Sequence, residues 1–479
     1  MNEIQTDSYP DDLGYDPTDR VSILRFGQRL LGHCLGDFIS EYELEDPKIR
    51  KGHFGNALEE NYFKLPINSR READFLQAKL ELKSTPLKIS TNGKTTAKER
   101  LVLGMIDYDE LVQEEFVTSS LIQKTALMLL VAYLYEPELN PIKFKILRVL
   151  LWGLHLGNCE GVPPELCHGP SRADFLQFQH DWEYIRQKVR EGRAHEISGG
   201  DTVYLEACPK AANAAKRRRQ PFSDILAKPR AWALKASYMT TVFSQQDEDL
   251  CEIPRTNDEK ELDLLELVRR RFQPYMGKTE AELADMIGFT NYPKKKPKNL
   301  NALIVKRILG VKDSEKISEF EKAGIKPKTI RLKSSGKPKE HMSLPAFRYS
   351  ELVQNNFEDS QFYQQVHQKY LFVIFRETSK DEFRLDSLAF WQMPEDDVPA
   401  AKDCYDLMRK RVMEGHGENS VKVTENRCCH VRHHGKNAQD TIPAPSENGG
   451  EKMLVKKCFW FNAGYLQAEI QRISEEHNF

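Results

Sequence analysis

Asp74, Glu81, Lys83 and, upstream, Glu59 are the residue types that hydrolysis of a phosphodiester requires. Glu81 and Lys83 stand two apart in E-L-K, and on a β-strand such residues share a face. They emerge side by side while Leu80 and Leu82 turn to a core. Asp74 reaches the same point from a neighbouring strand or turn, and Glu59 from a helix. Carboxylates beside an ammonium form a site for a hard cation; Mg²⁺ takes a few carboxylates and keeps several waters. Such an ion activates a water and neutralises charge developing on the phosphodiester. Lys83 would orient or help deprotonate that water, or stabilise the pentavalent phosphate. A blander reading stands beside this one. In a chain with 30% charged residues a D…E-x-K spacing also arises by chance, and the strand is then merely charged.

The elements that must position these residues follow from periodicity. Residues 1–20 read as a loose arm and Arg25–Tyr42 as a helix. The Glu59 helix and the E-L-K strand come next. Leu101–Ile106 and Thr125–Tyr135 read as sheet strands, and Lys143–Trp152 as a further apolar run. Asp174–Arg193 carries Phe175, Phe178, Trp182, Ile185 and Val189 at helical spacing. Gly199-Gly200 ends that unit, and Thr202–Glu206 begins another strand. The pattern is that of an α/β protein with a mixed sheet flanked by helices.

A second chemistry is offered by CPKAANAAKRRRQPFSDI, residues 208–225. Its small residues let backbone approach a ligand. Lys210 and Asn213 supply donors for base edges or phosphates. Lys216, Arg217, Arg218 and Arg219 supply charge to a DNA backbone. A solvated surface or a nuclear-import signal would read the same way. Further on, Lys294, Lys295 and Lys296 open a second lysine run, with the same alternatives. Cys428-Cys429-His430-Val431-Arg432-His433-His434 invites a zinc reading. Its adjacent thiols lack the second separated pair that a zinc finger uses, so a loop offering His430 and Arg432 to DNA is the better expectation. Cys159, Cys167 and His168 make no better zinc site. His180 and His195 are assigned nothing.

The 479 residues exceed one typical core and call for two domains. A formal charge of −2 means that any DNA contact comes from local patches. Nine scattered cysteines without a CxxC pair read as a reducing, cytoplasmic setting. The N-terminal MNEIQTDSYPDDLGYD is unlike a signal peptide, and the longest apolar run, Thr125–Tyr135, is too short for a membrane span. Polar Gln245–Asp258 reads as a linker, giving a first domain at 1–245, a linker at 246–259 and a second domain at 260–479. The second half reads as a degenerate copy of the first. WEYIRQKVREG (Trp182–Gly192) matches YDLMRKRVMEG (Tyr405–Gly415), and Phe144/Trp152 are spaced like Phe383/Trp391. Laying Ala73–Lys83 on Ser318–Lys328 sets Asp74 against Glu319, Glu81 against Lys326 and Lys83 against Lys328. Upstream, Glu59 meets Ile304. A cation in place of a metal carboxylate predicts a copy that holds no Mg²⁺.

Gly52, Gly55, Leu58, Glu59, Asp74, Phe75, Glu81, Leu82, Lys83 and Pro86 resemble the G-x-x-G-x-x-L-E helix and D-F-x-x-x-x-x-E-L-K-x-x-P core of the MutH-like PD-(D/E)xK endonucleases. Residues 91–111, TNGKTTAKERLVLGMIDYDEL, resemble more narrowly the two-domain GATC-cutting type II restriction endonucleases of the Sau-three-A type. The resemblance implies a MutH-like fold present twice, the second copy binding DNA as an effector. It implies Mg²⁺-dependent cutting of both strands of duplex DNA before the G of 5′-GATC, a cognate DNA methyltransferase as functional counterpart, no membrane, and room for a DNA-induced dimer. It places metal on Asp74, Glu81 and Glu59, base contacts on Lys210 and its loop, an essential lysine at Lys124, five residues after Ser119, and a DNA-contact lysine at Lys235. By residue type alone Lys124 is a lysine at a strand edge. Two departures matter. Cys208 stands where MutH has an Arg, and Ala233 stands where MutH has the Tyr that probes adenine methylation. Little discrimination by that methylation is the expectation. A mismatch-repair nickase and a non-catalytic DNA-binding regulator are the rival readings.

Overall fold

The computed structural model describes residues 13–39, 53–65, 72–89, 93–154, 161–210, 216–244, 249–289 and 300–476. The chain divides into two compact units, residues 1–248 with Glu321–Ala323, and Asp249–Phe320 with Gly324–Phe479.

The first unit holds strands β1 (Glu81–Ile89), β2 (Thr95–Ala97), β3 (Leu101–Met105), β4 (Met128–Leu134), β5 (Ile146–Trp152), β6 (Cys167–His168), β7 (Leu205–Pro209), β8 (Arg218–Gln220), β9 (Ser223–Ala227) and β10 (Arg230–Leu234). One mixed sheet runs β2-β1-β4-β5-β6. In it β1 lies parallel to β4, and β4 antiparallel to β5. β4 reads MLLVAYL because a central strand buried on both faces needs an unbroken apolar run. Leu80 and Leu82 join Phe54, Leu58, Phe63, Phe75, Leu129 and Val131 in the core beneath this sheet. A second, antiparallel sheet runs β3-β10-β7, and β8–β9 form a hairpin. The helix Arg172–Arg190 is N-capped by Ser171 and buries Phe178, Trp182, Ile185 and Val189.

Three elements differ from the periodicity reading. The expected helix Arg25–Tyr42 is instead Arg20–Gln28 followed by a 3₁₀ turn at Leu35–Asp37, with Gly32 between them at φ +82°. β4 starts only at Met128, because Ser119 caps a separate short helix, Ser120–Thr125. β7 starts at Leu205 rather than Thr202. The buried Asp181 carboxylate accepts the N–H groups of Val203, Tyr204 and Leu205 at 2.8, 2.6 and 2.8 Å, which ties that backbone to the helix before the ladder begins.

The second unit repeats the plan. Its strands are β11 (Leu250–Cys251), β12 (Lys316–Ile317), β13 (Ile325–Leu332), β14 (Met342–Ala346), β15 (Lys369–Ser379), β16 (Glu382–Trp391), β17 (Cys429–His433), β18 (Thr441–Pro445), β19 (Glu451–Val455) and β20 (Lys457–Phe461). β13 is parallel to β15, which is antiparallel to β16, and β14-β20-β17 form the antiparallel sheet. The helix Val398–Met413 stands for Arg172–Arg190, and β18–β19 for the β8–β9 hairpin. Individual contacts recur. Ser119 Oγ donates to Phe116 O at 2.7 Å and Ser360 Oγ to Phe357 O at 2.6 Å. Tyr108 OH donates to Lys228 O at 2.6 Å and Tyr349 OH to Val455 O at 2.8 Å. Gly192 and Gly415 both have positive φ, and at each a Cβ would meet hairpin backbone, at 2.5 and 2.1 Å. The stretch read as a linker is only partly free chain. β11 pairs with β12, and Ile253 N–H donates to the buried Glu319 carboxylate.

Candidate active site

Glu81 opens β1, its N–H donating to Leu127 O at 3.0 Å. Just before it, Phe75 and Leu80 exchange both backbone hydrogen bonds across a tight turn that puts Lys79 at φ +49°. That turn folds Asp74 back along β1, where its Oδ2 accepts the N–H of Leu82 at 2.8 Å. Asp74 therefore approaches from a turn, one of the two routes the spacing allowed.

Glu59 arrives from the other side. Helix His53–Asn56 widens into a π-helical segment, Ala57–Tyr62, marked by Phe63 N–H donating to Leu58 O. Such widened turns re-aim a side chain without ending the helix. Phe54, Ala57 and Leu58 anchor the segment in the core, and Glu59 is left half-buried. Gly55 explains the close approach: a Cβ there would stand 3.3 Å from Ser84 Oγ on β1.

The cations converge on Glu81. Its side chain is 1% exposed, and the Lys83 ammonium donates to its Oε1. Lys124 Nζ lies 3.6 Å from the same oxygen, carried there by the Ser119-capped helix. Glu81 Oε2 is buried with no hydrogen-bond partner. Burial raises the Glu81 pKa; Lys83 opposes the shift and Asp74 adds to it. Glu59 is pushed up to about 7, first by burial and then by the charge of Asp74. Asp74 and Lys83 thus each act on both glutamates.

Hard oxygen donors with one buried acceptor oxygen left over fit a divalent cation. Among the described residues no three His, Cys, Asp or Glu side chains already close into a cage. The arrangement therefore suits an ion held by one or two carboxylates, with water and substrate oxygens completing its shell.

The DNA residues named from the sequence divide by exposure. Lys210 is exposed at the end of β7, its N–H donating to Pro229 O at 3.0 Å. Lys216, Arg217 and Arg219 are exposed, while Arg218 turns inward, donating to Ile106 O at 2.8 Å. Arg432 is exposed. Two expectations need correction. Lys235 is buried, its Nζ donating to Thr202 O at 2.7 Å, and it steadies the start of β7 rather than facing DNA. His430 is 1% exposed and hydrogen-bonded to Asn462 Oδ1, and burial lowers its pKa to about 4, so it presents no charge to a phosphate. Lys124 lies at the buried Glu81 carboxylate, a position that residue type alone did not signal. Asn213, Lys294, Lys295 and Lys296 lie outside the described residues. Every described cysteine except Cys167 is a free thiol; Cys167 is disulfide-bonded, which an all-thiol reading did not anticipate.

The second unit has lost Glu81 from the acidic centre, while Glu319, set against Asp74, stays acidic. The rung Glu81–Met128–Trp152 across β1, β4 and β5 corresponds to Lys326–Tyr370–Trp391 across β13, β15 and β16. Lys328 then replaces Lys83. Counting from the matched Ser119 and Ser360, Gln365 replaces Lys124.

Comparison with known proteins agrees with this geometry. The family model "DNA mismatch repair enzyme MutH" matches residues 63–159 and again 310–402, one segment in each half. The MutH-like fold is therefore present twice, the second copy degenerate. The chain is 24–25% identical to the DNA mismatch repair protein MutH of Shewanella amazonensis, over 48% of this chain and 96% of that protein, and of Escherichia coli, over 50% and 97%. It is 30% identical to the type II restriction enzyme Sau3AI of Staphylococcus aureus over 89% of this chain and 94% of that enzyme. Restriction endonucleases of this family generally use a divalent metal and act on DNA. Among the described residues no helix is long and apolar enough to cross a membrane. Because the match to Sau3AI runs through both halves, the chain belongs to the MutH-like type II restriction endonucleases and is a site-specific deoxyribonuclease.

Proposed function

We propose that the enzyme cuts both strands of duplex 5′-GATC before the G, leaving 5′ phosphates and four-base overhangs, with Mg²⁺ as cofactor. The observation that carries this reading is the meeting of Asp74, Lys83 and Lys124 on the buried Glu81 carboxylate. Asp74 and Glu81 hold the ion and Glu59 assists once it has lost its proton. Bound there, Mg²⁺ supplies a polarised water and neutralises charge on the scissile phosphate. Lys83 orients that water and Lys124 faces the charge that grows on the phosphate oxygens. Lys210, at the mouth of its loop, reads bases in the major groove, where all four base pairs differ. Asn213, Lys216, Arg217 and Arg219 contact bases or backbone.

Ala233 is fully buried in β10 and has only a methyl group, so the domain carries no phenol at that position to test adenine N6. Methylated and unmethylated adenine sites are then cut at similar rates. The second unit binds DNA as an effector. A cognate methyltransferase, working in the same cytoplasm, protects host sites by another modification, and two chains can dimerise on DNA. Incubating the purified protein with Mg²⁺ and plasmid, then sequencing the ends, tests the reading; ends at any sequence other than GATC, or single-strand nicks alone, would reject it.

A further inference from the structure

The antiparallel sheet of the first unit carries a guanidinium that the cleavage chemistry does not use. Arg100 stands just before β3, two residues ahead of Val102, so the two share a face. Val102 pairs in register with Ala233 of β10, and Ala233 with Glu206 of β7. Arg100 reaches across this row: its Nη1 lies 2.9 Å from Glu206 Oε1. Its guanidinium also donates to the Cys208 sulfur, two residues further along β7. The crossing passes over β10 where that strand offers the methyl groups of Ala231 and Ala233, which pack with Cys208 and Val102. The Glu206 side chain is 8% exposed, whereas that of Arg100 stays 32% exposed. Continuing the alternation of Glu206 and Cys208, the next residue is the exposed Lys210.

The second unit sets a guanidinium on the matching face from a different strand. The row Val102–Ala233–Glu206 corresponds to Ser343–Trp460–His430, and the pair Ala231–Cys208 to Cys458–Arg432. His341 thus takes the place of Arg100, and Arg432 that of Cys208. The Arg432 charge reaches both His341 and His430. Two sheets that share a plan and differ in these side chains both keep a guanidinium here. A carboxylate-braced guanidinium is a planar fork of N–H donors, which matches the paired acceptors O6 and N7 of guanine.

We infer that Arg100 is a specificity-determining residue, its fork held by Glu206 so that it donates to a guanine edge in the major groove beside Lys210. The inference rests on the reading of the Lys210 face as the one that reads bases. It gives Ala233 a second role, since a large side chain there would fill the path of the guanidinium.

The test measures kcat/KM of the full chain in Mg²⁺ on a GATC duplex, an AATT duplex, and a GATC duplex carrying 7-deazaguanine, which lacks the N7 acceptor. One bidentate contact sets about a 5–150-fold preference for the right base. Arg100→Met is expected to lose a factor of that size from the GATC-over-AATT preference. The 7-deazaguanine duplex should be cut more slowly by the wild-type protein, with little further loss in the variant. Because Arg100→Met strips Glu206 of this partner, the same readings are taken on Arg100→Met/Glu206→Gln, which leaves no bare carboxylate. A preference that survives in both variants overturns the role of Arg100. So does an equal loss on GATC and AATT, the mark of a merely structural residue, and so does a 7-deazaguanine effect as large in the variants as in the wild type. A wild-type protein without preference for GATC over AATT rejects this inference and the GATC reading together.

Discussion

The Glu81 carboxyl is buried beside two lysines, and its environment explains why each neighbour matters. Desolvation disfavours its ionised form, and Asp74 makes ionisation harder still. Asp74→Ala is expected to lower cleavage by at least about 10²-fold, as removal of a preorganised electrostatic group does. DNA binding should be retained, because the exposed basic residues are untouched; filter binding beside plasmid cleavage checks both. Glu59 yields a pH prediction. Its folded pKa, about 7, lies above the ordinary 4.5, so between these values the folded site holds a proton that the unfolded chain has released. That contribution to stability is complete below 4.5 and is lost as pH rises through 7. A cation at Glu59 must displace the same proton, so Mg²⁺ affinity should climb by up to about tenfold per pH unit below 7 and then level. Glu59→Gln should flatten both profiles, read by calorimetric titration and by urea midpoints. The Glu81–Lys83 pair was legible in the sequence because a strand's period of two makes E-x-K a shared face. The burial of Lys235 and His430 was not, since it depends on Thr202 and Asn462, which only the tertiary fold brings close.

At the scale of elements, the site depends on how near the π-helical segment comes to β1. Gly55 lies at that approach, where an added Cβ would stand 3.3 Å from Ser84 Oγ. Gly55→Ala crowds Ser84 Oγ by a few tenths of an ångström while gaining about 0.5–1 kcal/mol of helix propensity, so stability should change little and cleavage should slow as Glu59 shifts. Ser84→Ala removes the opposing oxygen, so the double variant should recover most of the lost rate. A double-mutant cycle on urea midpoints and initial rates checks this; additive losses would mean that the two residues do not meet. The sequence announced the amphipathic helix Arg172–Arg190 and the apolar strand β4 well, because each presents a long, regular pattern. It misplaced their shorter neighbours for physical reasons that can be named. A capping serine starts the Ser120–Thr125 helix inside an apolar run, and Asp181 holds the backbone ahead of β7.

Over the whole molecule, duplication followed by loss separates chemistry from recognition. Lys326 and Lys328 stand in the second unit on the rungs that carry Glu81 and Lys83, and the buried Trp152 and Trp391 end the first of those rungs in the two sheets. Those tryptophans, with Phe144 and Phe383 at matching spacing, made the repeat visible in the sequence, because a large buried tryptophan must recur if a sheet is to be packed twice. We propose that a copy with Lys326 where the first unit has Glu81 binds a DNA backbone without cutting it. If its occupancy favours the cutting state of the first unit, the two sites share a coupling free energy of about 1–3 kcal/mol. Plasmids with two GATC sites should then be cut faster per site than plasmids with one, by about 5–150-fold at limiting enzyme. An oligonucleotide duplex added in trans should speed the one-site plasmid. Lys326→Gln/Lys328→Gln should bring two-site plasmids down to the one-site rate while sparing that rate, since Asp74, Glu81 and Lys83 are intact. Equal rates on both plasmids for the wild-type enzyme would mean that the second unit clamps DNA without informing the first.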